Sequence, residues 1–96
     1  MTILHGSKSP DQSAIGAESL ALAALGWVLS DDDRAARLLA LTGLTPDILR
    51  DRLSDRGVLA AVLEFLINHE PDLIEAADTL QVKPQDIVAA HESLTR

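Results

Sequence analysis

Three histidines, fifteen carboxylates and no cysteine are the side chains with which this chain could do acid–base, nucleophilic or metal chemistry. His69-Glu70 and His91-Glu92 each begin like a zincin helix, but position 73 is Leu and position 95 is Thr where a second histidine would have to stand. Ser93 lies two residues from His91, and neighbours two apart on a helix point in different directions, so they make no nucleophile–base pair. Asp31-Asp32-Asp33 lacks the spread of ligands over about a dozen residues and the central glycine of a calcium loop; it suits a helix N-terminus, as cap and favourable charge. No glycine-rich phosphate loop is present, and without cysteine there is no disulfide framework or thiolate. The reading is a non-enzyme with no catalytic residue, cofactor or metal, and with His5, His69 and His91 partly exposed.

Charge says more. The net charge is −7 and the isoelectric point about 4.6, which disfavours nucleic acid or an anionic membrane as main partner. Residues 31–56 hold five arginines against six aspartates, whereas residues 57–96 hold only Lys83 and Arg96 against seven acids. Arg50, Arg52 and Arg56 therefore form the candidate interaction surface, able to meet the acidic C-terminal half within the molecule or across a homodimer. The competing reading is a solvated, ion-paired face of little energetic weight.

The element that must organise these groups is Val58–Ile67, apolar except for Glu64. A helix apolar nearly all round has no face to give to water and belongs in the middle of a bundle. Ala60-Ala61 and the leucines favour helix over a buried strand. Ser9-Pro10 opens a first helix to about Leu29, with Gln12 closing a capping box. Ala17, Ala21 and Ala24 form its small-residue stripe, and Leu22, Leu25, Trp27 and Leu29 its bulk; Gly16 and Gly26 suggest a bend or close contact. A second helix, 32–42, turns Ala35, Leu38, Leu39 and Leu41 inward and Arg34 and Arg37 outward, and stops at Gly43. Thr45-Pro46 starts a third, with Ile48, Leu49 and Leu53 inward. Asp55 caps the central helix, and Pro71 and Pro84 open two more. Residues 1–8 read as a flexible N-terminal tail and 9–96 as a single helical domain.

Displacing the chain by 38 positions lays Leu25 on Leu63, Trp27 on Phe65, Val28 on Leu66, Pro46 on Pro84 and Leu49 on Ile87. The expected fold is all-α: a compact orthogonal bundle of five or six short helices, built as two similar three-helix halves that close on each other.

Residues 73–94 also resemble a bacterial helix-turn-helix, with Ala77, Leu80, Val82 and Ile87 in its apolar places and Gln81 where glycine is usual. The would-be recognition helix carries Asp86 and Glu92 towards phosphates, and residues 57–96 carry a net charge of −5, which makes a DNA-binding regulator the alternative reading. Taken whole, the chain resembles an uncharacterised bacterial family of short all-helical proteins, domain-of-unknown-function family 3572. That resemblance rests on Glu18, Leu22 and Leu25, on Leu39–Leu44, and on Val62–Leu66 with Glu70. It implies the helical fold and brings no site residue. The expectation is a cytoplasmic protein-interaction or self-association module, with an unknown protein partner or a homodimer and no membrane association. The low-charge run Ser19–Ser30 is too short to span a bilayer, and Asp11 and Glu18 spoil a signal peptide.

Overall fold

The computed structural model describes residues 10–96, with side chains from residue 16 onward. The expected tail, His5, the Ser9 cap and the Gln12 side chain lie outside the described residues. Among the described residues six helices follow one another: α1 Pro10–Leu29, α2 Asp32–Thr42, α3 Pro46–Asp51, α4 Arg56–Ile67, α5 Glu70–Leu80 and α6 Pro84–Thr95. The described residues contain no strand, and none of their helices is long and apolar enough to cross a membrane. The fold is an all-α bundle.

α4 is its axis. Val58, Leu59, Ala60, Val62, Leu63, Phe65 and Leu66 are all buried, with Leu63 and Leu66 at 0% exposure, and only Ala61, Glu64 and the helix ends reach solvent. Helices α1, α2, α5 and α6 pack around it. On α1 the buried residues Ala17, Ala21, Ala24, Leu25 and Val28 repeat at helical spacing along one face. The alanines lower that face enough for α6 to lie closely along it, so α6 is held between α1 and α4.

The helix ends follow local chemistry. Asp31 Oδ2 accepts from the Arg34 N–H at 3.0 Å and Thr45 Oγ1 from Ile48 N–H at 3.1 Å. Asp55 Oδ1 takes the N–H groups of Gly57 and Val58 at 2.7 and 3.3 Å. Each of these acceptors satisfies a donor that the first turn leaves unpaired. Lys83 cannot cap with its side chain, and instead its N–H donates to Asp86 Oδ2 at 2.9 Å.

The displacement of 38 recurs in the helix boundaries. α2 and α5 begin and end 38 residues apart, α1 and α4 end together in that register, and α3 and α6 both open on its prolines. Left-handed residues close α2 and α5 at matched positions, Gly43 at φ 74° and Gln81 at φ 63°. The halves part at the third helix. α6 has 12 residues and packs along its neighbours; α3 has 6 and lies at the periphery.

Several inward assignments are corrected. Leu41 is 73% exposed, because α2 is anchored through Leu38 and Leu39, which leaves Leu41 beyond the edge of that face. Leu53 falls past the end of α3, and Leu22 and Leu29 lie beside the alanine stripe of α1; all three are exposed. Gly16 and Gly26 make no close contact: a Cβ on either would meet no heavy atom within 4 Å.

Candidate interaction surface

The three arginines singled out by charge do not act together. Arg50 Nη2 pairs with Asp47 Oδ1 at 3.1 Å, one turn back on the same short helix, and both side chains are well exposed. Arg52 is the residue at which α3 ends, its N–H bonded to Ile48 O at 2.9 Å. Arg56, in the first turn of α4, reaches across to the end of α6 and donates from Nη2 to Ser93 O at 2.6 Å. That oxygen belongs to the last turn of a helix, where carbonyls carry partial negative charge.

The arginine that meets an acid of the C-terminal half is Arg37, assigned outward from the sequence. Its Nη1 lies 2.9 Å from Asp72 Oδ2 on α5, and the same oxygen is 3.0 Å from His69 Nδ1. Asp72 is the one buried charged residue among those described, and these contacts hold it. Arg34 also turns inward. Its guanidinium lies over the Trp27 ring, 3.7 Å from the centroid, while Nη2 donates to Trp27 O at 2.8 Å and Ser30 Oγ at 3.0 Å. Stacking on the indole leaves Arg34 Nε buried without a partner. Phe65, the counterpart of Trp27, has the Arg37 guanidinium 5.9 Å from its centroid, so both aromatics are faced by arginines of α2. Sequence reasoning missed the Arg37–Asp72 contact. Its one local signal was Asp72 three residues after His69, in the first turn of α5.

A cleft of about 470 Å³ opens beside this clamp, lined by Leu41 and Thr42 of α2, Ala61, Glu64 and Phe65 of α4, and Asn68 and His69. An aspartate orienting a histidine is half of a nucleophile-activating constellation. The hydroxyl in the lining, Thr42 Oγ1, donates to Leu38 O at 2.6 Å in its own helix, and Asp72 is shared with Arg37. His91 Nε2 lies 3.9 Å from Oε1 of Glu64, which lines the same cleft.

A second cleft, of about 330 Å³, is different in kind. Leu25 and Leu29 of α1, Leu39 of α2, and Pro46, Leu49 and Leu53 of the α3 segment line it, and Arg50 is the charged member. Leu29 and Leu53 stand 45% and 41% exposed. The matched positions of the C-terminal half are Leu63, Ile67, Ala77, Pro84, Ile87 and His91. There Leu63 and Ile87 are completely buried and Ala77 nearly so, because α6 closes down on α4. Leu25 and Leu49 are buried like Leu63 and Ile87, and the halves differ at the rim, where Leu29 and Leu53 are exposed and their counterparts Ile67 and His91 are half-buried. Charge pattern pointed at Arg50; the open leucines beside it were read as core.

The model of a protein family of unknown function, DUF3572, matches residues 14–96, and the chain belongs to that family. Comparison with curated proteins and with solved structures gives no match.

Proposed function

We propose that this member of the DUF3572 family is a small non-enzymatic interaction module, working in the bacterial cytoplasm, that seats a partner's apolar side chains in the α1–α2–α3 cleft. The observation that carries the reading is the leucine-lined cleft with Arg50 on its wall, whose rim residues Leu29 and Leu53 are exposed where the matched Ile67 and His91 are half-buried. Exposed apolar surface with a polar rim favours association. Arg50 favours an acidic partner, since its exchange of Asp47 for another carboxylate costs little at an exposed pair.

The second reading, a helix-turn-helix DNA-binding regulator, draws support from α5, the left-handed Gln81 and α6. Against it, Ile87, Ala90 and Leu94 of α6 are committed to the core, and the exposed residues of that helix include Asp86 and Glu92. The test is affinity capture with the native chain beside a Leu29→Asp/Leu53→Asp variant, followed by mass spectrometry. A partner retained by the native chain and lost by the variant is expected; identical partner sets overturn the reading. Retardation of duplex DNA at low salt turns the choice to the regulator.

A further inference from the structure

We propose that the occupant of the α1–α2–α3 cleft is a second copy of this chain, entering with the exposed face of α5; this rests on the interaction reading above. Among the described residues the large apolar side chains most open to solvent are Leu22, Leu29, Leu41, Leu53 and Ile74. Leu29 and Leu53 belong to the cleft. Ile74, 52% exposed, stands in the middle of α5 with Glu70 one turn before it, Asp78 one turn after and Glu75 alongside, all three exposed.

Residues four apart on a helix lie about 5–6 Å from one another. The face is therefore a single branched aliphatic knob ringed by carboxylates. The cleft is its opposite: an apolar hollow of about 330 Å³ with Arg50 in its wall and the exposed Arg52 at the end of α3. A copy that presents Ile74 buries the knob against leucines and brings acids to arginines. The Asp47 partner of Arg50 is exposed and readily displaced. Carboxylate-to-carboxylate approach, the usual obstacle for a chain of net charge −7, is reduced at this contact, where Arg50 and Arg52 stand beside Asp47 and Asp51 and residues 31–56 are nearly neutral.

Knob and cleft are different surfaces, so each contact is of the knob-to-hole kind. Two copies close if each seats its α5 in the other, and otherwise copies add head to tail. Such an interface can be complemented. Sedimentation of the full chain over a concentration series is expected to show its mass rising with concentration. Leu53→Asp spoils the hole and Ile74→Asp the knob, and each is expected to move association to at least about tenfold higher concentration. Both positions are exposed, so folding survives, as helical circular dichroism checks. An equimolar mixture of the two variants regains one intact knob-to-hole contact per mixed pair, and so associates at lower concentration than either variant alone. Arg50→Glu weakens it as well.

A chain that stays monomeric throughout, variants that associate like the native protein, or a mixture that fails to recover overturns the proposal. A synthetic amphipathic helix of leucines on a glutamate background then separates the two readings. Binding to the native chain but not to Leu53→Asp leaves the interaction module standing with another occupant, and absence of binding removes both.

Discussion

Replacing Gln81 with glycine should stabilise this protein, and the matched Gly43→Gln should destabilise it. Both residues close a helix in the left-handed region, where an L side chain costs about 1–2 kcal/mol and glycine costs nothing. Neither site is crowded. Gln81 is exposed, and a Cβ at Gly43 would meet no heavy atom within 4 Å. Glycine gives back part of the gain through the freedom it adds to the unfolded chain, about 0.5–1 kcal/mol. The net for Gln81→Gly is about 0.5–1 kcal/mol, or roughly 2–8 °C in thermal midpoint for a domain of this size. Thermal and urea unfolding followed by helical circular dichroism measures both variants, and the double exchange should return close to the starting stability. A lower midpoint for Gln81→Gly, or the same direction of shift for both substitutions, refutes the reasoning.

Gly26→Ala should raise stability by about 0.5 kcal/mol in the same assay, since the position is exposed, helical in the last turn of α1 and free of neighbours. Asp72→Ala removes the carboxylate that accepts from Arg37 and lies 3.0 Å from His69 Nδ1, and should lower stability by about 1–2 kcal/mol. That is the lower part of the range for a buried charged hydrogen bond, because Arg37 and His69 are partly exposed and water can solvate them. Arg34→Ala uncovers the indole of Trp27 and strips a donor from its carbonyl. The tryptophan emission should shift to the red and stability fall by about 1 kcal/mol, measured by fluorescence during urea titration.

The parts of this fold that could be read from the residues are those governed by local chemistry or by strong periodicity. Val58–Ile67 had no polar face, so its place at the centre followed from the impossibility of solvating it. Thr45-Pro46, Asp55 and Gly43 carry their roles in their own side chains or in the lack of one. What escaped reading depends on where helices meet. Leu41 and Leu38 are chemically alike, and only the position of α4 makes one core and the other surface. Arg37 has the same outward pattern as any helical arginine, and its approach to Asp72 exists only once α2 and α5 are folded against α4. Leu53 and Leu29 looked like core because leucines usually are, and the cleft they form was therefore invisible.

That cleft has a cause in the repeat itself. The counterpart of Asp55 is Ser93, which lies inside α6, whereas Asp55 must leave helical geometry to cap α4. The first half therefore ends its third helix at Asp51, where the second runs on through Thr95. Leu53 falls in the handover between the halves, and its counterpart His91 stays helical, half-buried near α4. The third helix of the second half has 12 residues and that of the first has 6. The need to start α4 thus ends α3 early, and Leu29 and Leu53 keep an apolar rim open to water beside the buried Leu25 and Leu49, which is the surface the proposed association would use.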